Sequence, residues 1–491
     1  MKIMISYPPF RDKGDPMLTQ NRQFQWYHVG SCIYPVVPAS AATLLKQDGF
    51  DIIWNDAIAE GWDLQSYKDN FSKEKPDLVV FETKTPVIKK HWKLIGELKE
   101  IDAQCSFVLM GDHPTARPNE SMMKSKVDFV ITGGHYDLLL LNLARSLRDG
   151  SPFPSGIWYR DGGVVKNSGN SNAKIDLNDL PFIDRILTKP HLYGEKWKKR
   201  TPFFYTMAGR DCPWHQCTFC SWTTIYPRFS VRRVENLLDE IGFLIEHHGA
   251  KEIFDDTGTF PGGNWLRKFC LGMIERGYHK EILFSCNMRF DYLRDPQVPE
   301  LMKQAGFRKI KSGLESASQE TLVKIGKGIR VEDIITGCKN ASKAGIDVHL
   351  TVMVGYPWET KEDARRTIDL ARNLMSQGHA EMLQATVVVP YPGTPLNDYA
   401  HEHRLFRFDP YDYDRFDMTE PVLTTPEITA EEVMKMCEAV YRSFLAPKFV
   451  FRHLINMRTW EDVKYIAKGA VAVMGHLKDF SGIRSDTKEE R

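Results

Sequence analysis

The chain has 491 residues, enough for two to four domains that each bury a core. Its 65 Lys and Arg balance 64 Asp and Glu to a net charge of +1, which excludes a global field that would gather nucleic acid or anionic lipid. Hydrophobic residues make up 42% without an uninterrupted apolar run of membrane-spanning length, so the reading is a cytoplasmic globular protein with at most peripheral membrane contact.

Residues 1–147 alternate apolar runs (2–6, 51–54, 78–81, 106–110, 128–131) with helical patterns (38–47, about 87–101, about 137–147). The first run reads as a strand and not as a signal peptide. Such alternation predicts a Rossmann-like, doubly wound parallel sheet, whose ligands sit beyond the carboxyl ends of the strands. Those ends carry Tyr7 and Pro8, then Thr83, then Gly111, His113 and Thr115, then Gly133 and Gly134. Ordinary turn chemistry explains the same residue types equally well.

The alternation lapses over 148–200. Arg160-Asp161-Gly162-Gly163 signals a hairpin, and the Ser/Asn/Gly-rich stretch 167–172 an exposed loop. A linker with a hairpin insert is expected here, and with it a domain boundary. From 201 to 400 the alternation returns, with strands at 203–207, 252–254, 282–285, 309–313, 348–354 and 383–389. Helices are expected at 230–248, with Gly249 as its stop, and near 264–276, 296–305, 331–344 and 360–376, the last opened by Thr360 and Asp363. Six strands and five helices make a partial (β/α)6 barrel, with its chemistry on the loops after the strands. Residues 401–491 turn helical and aromatic, with helices near 430–445 and 460–475; they read as a lid or as simple packing.

Three of the nine cysteines, Cys212, Cys217 and Cys220, fall within nine residues after the first barrel strand. An odd cysteine count with one tight cluster points to a reducing compartment rather than to a disulfide framework. Three neighbouring thiolates suit a metal. The Cys217-x-x-Cys220 spacing serves zinc and iron–sulfur sites alike, but no fourth Cys or His follows at finger spacing. Phe219 would shield one side of a cluster. Later loops add Asp255 and Asp256 for an ammonium group, Arg289 as a fork for a carboxylate, Glu315 for a ribose diol, and Gly355, where the backbone can approach a flat ring.

Cys212…Cys217-Thr-Phe-Cys220, Gly313-Leu-Glu-Ser316, Lys327-Gly328, Gly355-Tyr-Pro-Trp-Glu-Thr360 and Pro390-Tyr-Pro-Gly-Thr394 together resemble radical S-adenosylmethionine (SAM) enzymes. Pro8-Pro9, Gly111-Asp-His-Pro-Thr115 and Asp128-Phe-Val-Ile-Thr-Gly133 are similar to the cobalamin-binding domain of one branch of that family, the branch of the anaerobic magnesium-protoporphyrin ester oxidative cyclase and of hopanoid-associated radical SAM proteins. The resemblance implies a [4Fe–4S] cluster on Cys212, Cys217 and Cys220, with SAM on its open iron and in contact with Phe219, Asp255, Asp256, Arg289, Glu315 and Gly355. It implies cobalamin against Tyr7, Pro8, Thr83, Gly111, His113, Thr115, Gly133 and Gly134. It further implies an electron donor such as flavodoxin or ferredoxin, a small hydrophobic substrate, and functionalisation of an unactivated carbon by methyl transfer; radical cyclisation, rearrangement or oxidation is the alternative. A metal-stabilised binding or sensor protein is the alternative of another class. Two departures stand out. Four residues, not the usual three, separate Cys212 from Cys217, and Asp-x-His-x-x-Gly, which supplies a histidine to cobalt, is absent. Gly133-Gly134-His135-Tyr136 also stands where relatives often carry Gly-Glu-Gly-Glu.

Overall fold

Two parallel sheets carry the chain. The computed structural model describes residues 1–10, 16–18, 24–26, 31–171, 175–195, 197–456 and, in the tail, 466, 467, 469–471, 473–475 and 477. The first sheet holds β1 (Lys2–Tyr7), β2 (Asp51–Asp56), β3 (Leu78–Glu82), β4 (Ser106–Met110) and β5 (Phe129–Ile131), all parallel, followed by the antiparallel pair β6 (Ile157–Asp161) and β7 (Val164–Asn167). Its order is β7-β6-β5-β4-β3-β1-β2. The inner strands are apolar on both faces because helices cover both: Val79, Val80, Phe81, Val108 and Leu109 are all fully buried. Helices α1 (Val36–Gln47) and α2 (Tyr136–Asp149) pack together on one side. Chain order reverses between β1 and β3, the position where sheets of this kind bind ligands.

The second sheet runs β8 (Phe203–Thr206), β9 (Glu252–Asp255), β10 (Leu283–Asn287), β11 (Phe307–Glu315), β12 (Asp347–Val354) and β13 (Met382–Val387), parallel throughout and paired in sequence order. This is the expected six-stranded partial barrel. Helix α3 (Val234–His248) ends at Gly249, whose φ of 63° supplies the left-handed cap. Helix α4 (Lys361–Ser376) opens with the expected capping box: the Asp363 amide donates to Thr360 Oγ1 and the Thr360 amide to Asp363 Oδ2, both at 3.1 Å. Helix α5 (Ala430–Tyr441) packs against β13, and the Tyr441 hydroxyl bridges the Ala385 amide and carbonyl at 3.2 Å each, occupying backbone groups that an edge strand would otherwise expose.

Three expectations change. The hairpin at 157–167 is no free insert: β6 pairs with β5 and extends the first sheet. The helix expected from 230 starts at Val234, because Ser230–Val231 pairs with Gly209–Arg210 and the Arg232 amide donates to the Ala208 carbonyl at 2.9 Å. A three-stranded sheet of Pro16–Leu18, Phe24–Trp26 and Ser31–Cys32 was not anticipated, since strands of two or three residues show no periodicity. Of the helix expected near 460–475, residues 460–465 lie outside the described residues. Among the described residues no helix is long and apolar enough to cross a membrane.

Candidate active site

The loop after β8 holds Cys212, Cys217 and Cys220, each half-buried, and all nine cysteines of the chain are free thiols. The fourth intervening residue is accommodated by a left-handed turn at His215, φ 53°. Trp214 then becomes an anchor. Its indole donates to the Gly326 carbonyl at 2.7 Å, and the Arg289 guanidinium lies 4.5 Å from its ring centre. Gly328, φ 65°, has no room for a side chain, since a Cβ would fall 1.9 Å from Trp214. The Thr218 amide donates to the Ile325 carbonyl at 2.9 Å and Cys212 Sγ contacts Thr259 Oγ1 at 3.3 Å, so the cysteine loop is held both by the segment 325–328 and by the loop after β9.

Burial pushes the Cys217 thiol up, with Lys327 opposing, and pushes Cys220 up further, with the Asp211 charge adding to it. Each of these two thiols also feels Cys212, and Cys220 feels Cys217 as well. Burial thus keeps Cys217 and Cys220 protonated, whereas a bound metal deprotonates its thiol ligands outright. Among the described residues no three His, Cys, Asp or Glu side chains are gathered as a single ion requires. Three thiol donors with no fourth Cys or His at finger spacing leave one position open, which suits a [4Fe–4S] cluster better than a structural zinc knuckle.

Of the other residues expected at this rim, Glu315 pairs with Lys327 at 2.8 Å beside Cys217. Asp256 is buried with Oδ2 unpaired, while Asn287 donates to its Oδ1 at 3.4 Å. Phe219 packs half-buried against the core between the two cysteines. Three residues are otherwise engaged. Asp255 accepts from Thr206 at 2.9 Å and from the Thr257 hydroxyl at 2.7 Å. Arg289 holds Asp291 at 2.9 Å and donates to the Lys327 carbonyl at 2.9 Å, besides covering Trp214. Gly355, φ 95°, faces Val433 of α5, which a Cβ would approach to 3.1 Å.

The carboxyl edge of the first sheet faces this rim. Tyr7 donates to Glu82 at 2.5 Å at the strand-order reversal, and the Pro8 carbonyl accepts from the Phe10 amide at 3.1 Å. Thr83 Oγ1 lies 2.7 Å from His91 Nδ1. Gly111, φ 130°, passes so close to Thr83 that a Cβ would sit 2.2 Å from its carbonyl oxygen. Thr115 Oγ1 donates to the Gly111 carbonyl at 2.6 Å and accepts from the Gly133 amide at 3.1 Å, which joins two of the loops. His113 Nδ1 lies 3.2 Å from Thr85 Oγ1, whereas its buried Nε2 has no partner and Tyr413 stands edge-on to the ring at 4.6 Å. Burial pushes His113 down to about 3, so the imidazole is neutral. An orphaned neutral nitrogen on a rim of small side chains fits a bulky cofactor that brings its own metal.

Residues that the sequence reading passed over join the two rims. Arg210, two positions before Cys212, forks onto Asp137 at 2.9 and 2.6 Å, and Ser40 donates to the same carboxylate at 2.9 Å. Burial works against the Asp137 anion, but Arg210 outweighs it and holds the carboxyl below its ordinary range. Gly134 is needed where it stands because a Cβ would fall 2.2 Å from the Tyr226 ring. Asp137, in the first turn of a helix, carries no sequence signal that separates it from an ordinary dipole partner.

A partial ring of six parallel strands, with three free cysteines on the loop after the first, places those cysteines at the strands' carboxyl ends, where barrels of this kind carry their chemistry. Residues 207–371 match the Radical SAM superfamily, and the chain carries a domain of that superfamily. It is 27% identical over 463 residues to an uncharacterized methyltransferase, PH0819, of Pyrococcus horikoshii, covering 93% of this chain and 95% of that one. It is 25% identical over 463 residues to the anaerobic magnesium-protoporphyrin IX monomethyl ester cyclase of Rubrivivax gelatinosus, covering 91% of this chain and 78% of the other. The fold is that of the radical SAM methyltransferase TsrM of Kitasatospora setae, solved with cobalamin and a [4Fe–4S] cluster bound: TM-score 0.67 at 13% identity over 97% of this chain and 98% of that one.

Proposed function

We propose that the protein is a cobalamin-dependent radical SAM enzyme that functionalises an unactivated carbon, by methyl transfer. The observation that carries this reading is the cysteine loop seated on the barrel mouth opposite the carboxyl edge of a second parallel sheet. When bound, a [4Fe–4S] cluster with SAM and a cobalamin supply a carbon-centred radical and a transferable methyl group. In this reading Cys212, Cys217 and Cys220 hold the cluster, and Phe219 keeps water from one side. Glu315, set by Lys327, and Asp256, set by Asn287, take the hydroxyl and ammonium groups of SAM. Arg289 and Asp255 hold the loops that carry these groups, and Gly355 lets α5 close over the barrel. Tyr7, Pro8, Thr83 and Gly111 shape one flank of the cobalamin site, and His113, Thr115, Gly133 and Gly134 the other.

The same reading places the protein in the cytoplasm, where free thiols persist. It draws its electrons from a small redox protein such as flavodoxin or ferredoxin and acts on a small hydrophobic substrate. The likeness to the Rubrivivax cyclase across both domains favours a second reading, oxidative cyclisation without methyl transfer. Anaerobically reconstituted protein given SAM, reductant, cobalamin and a tetrapyrrole acceptor separates the two. Methylated product with S-adenosylhomocysteine is expected. Deoxyadenosine without S-adenosylhomocysteine would transfer the assignment to the cyclase reading, and absence of both would refute the enzyme reading.

A further inference from the structure

Below the barrel mouth lies a set of polar groups that the cluster site does not use. On β9 to β13 the side chains alternate. Ile253, Cys286, Ile310, Val348 and Leu350 are buried under the outer helices, whereas Lys311, Thr351, Met353, Gln384 and Thr386 face inward and remain half-exposed. The barrel interior is therefore open. Its floor is closed: Lys309 is fully buried and paired with Glu195. Its mouth is the Glu315–Lys327 pair, folded over Gly313, where a Cβ would meet Glu315 at 1.9 Å and Lys327 at 2.5 Å.

Lys311 and His349 stand between floor and mouth. They are directly opposite in the β11–β12 register, and Asn287 is opposite Lys311 on β10. No side-chain hydrogen bond or ion pair joins Lys311 to another described residue, and both ring nitrogens of His349, which is 6% exposed, lack partners. A buried imidazole with both nitrogens unpartnered is costly unless something else satisfies it, and the half-exposed Lys311 ammonium stands directly opposite. Burial, with the Lys311 and Lys309 charges adding to it, keeps His349 neutral, so it offers one N–H. Burial also pushes Asp256 well up, with the Lys311 charge opposing, so the two groups sense each other.

We propose that Lys311 and His349 form a receptor for a carboxylate inside the barrel. One cation flanked by a neutral donor balances a single negative charge, whereas a phosphate dianion would be left with one charge unmatched. Two carboxylates are the candidates, that of the methionine part of SAM and one carried by the substrate. This choice of sources rests on the proposed reaction; the anion site does not.

Acetate serves as the probe and acetamide as its neutral control, in thermal melts of the cluster-loaded protein at constant ionic strength. Acetate is expected to raise the melting temperature where acetamide does not. K311M should abolish the acetate response, K311R should keep it, and H349Q should weaken acetate at least about tenfold. Repeating the titration with saturating SAM identifies the source. An undiminished acetate response assigns the receptor to the substrate, and a response lost to SAM assigns it to SAM's own carboxylate. An acetate effect no larger than that of acetamide, or equal responses in wild type and K311M, overturns the receptor. Should K311M not fold, an H349Q variant that responds like wild type overturns it equally. Iron content is read in parallel, so that failure of the cluster reading registers separately.

Discussion

Trp214 is the residue on which the extra length of the cysteine loop turns. Its indole nitrogen, its ring face and the space beside it are taken by Gly326, Arg289 and Gly328 respectively. W214A should cost about 2–4 kcal/mol of stability and release iron during gel filtration, because the half-buried ring and its hydrogen bond are lost together. G328A should loosen iron in the same way, since its Cβ displaces the indole, and full iron retention in both variants would count against the anchoring. Glu359 gives a separate residue-scale expectation. Burial holds its carboxyl up at about 7 against an ordinary 4.5, opposed by the Gly355 amide that donates to it at 3.1 Å. Between those values the folded state keeps a proton that the unfolded chain has released, so stability falls as pH rises through the window and levels off above it. E359Q should therefore be more stable than wild type by about 1–2 kcal/mol at pH 8, with the gain gone by pH 5, in urea melts at the two pH values. A pH-independent difference would mean that the carboxyl does not titrate there.

At the scale of elements, α5 closes the barrel at its last strand through Tyr441 and through Val433 against Gly355. Y441F keeps the ring and removes both hydrogen bonds to Ala385, which should cost about 1–3 kcal/mol and speed amide exchange along β13 before that of β11. Uniform loss of protection would show that the edge is held by something else. The elements were legible where periodicity and punctuation agree: the six barrel strands, Gly249 and the Thr360–Asp363 box all stand where the sequence places them. The start of α3 was not legible, because Ser230 and Val231 form a strand only through a partner about twenty residues earlier, Gly209–Arg210. The same limit applies at the site. Glycines at 111, 134 and 355 read as places for a ligand to approach, and in the fold each admits another part of the chain: Thr83, Tyr226 and Val433. Spacing identifies a position that tolerates no side chain, and only the tertiary structure says what fills the space.

Across the whole molecule, the two sheets present their carboxyl edges to each other, and the buried Arg210–Asp137 fork ties the cysteine loop to the first sheet's last helix. R210M leaves the Asp137 carboxylate buried and without its guanidinium, which should destabilise the chain by about 3–5 kcal/mol; adding D137L should recover part of that. The cysteine triplet itself was readable from spacing alone, but not what holds it, because Trp214, Arg289 and Lys327 come from three separate loops. The central claim is that these cysteines form one cluster site at the barrel mouth, and iron and sulfide content after anaerobic reconstitution tests it most directly. Wild type should bind about four irons per chain, and the C212A/C217A/C220A variant almost none; a triple variant that keeps its iron would contradict the account.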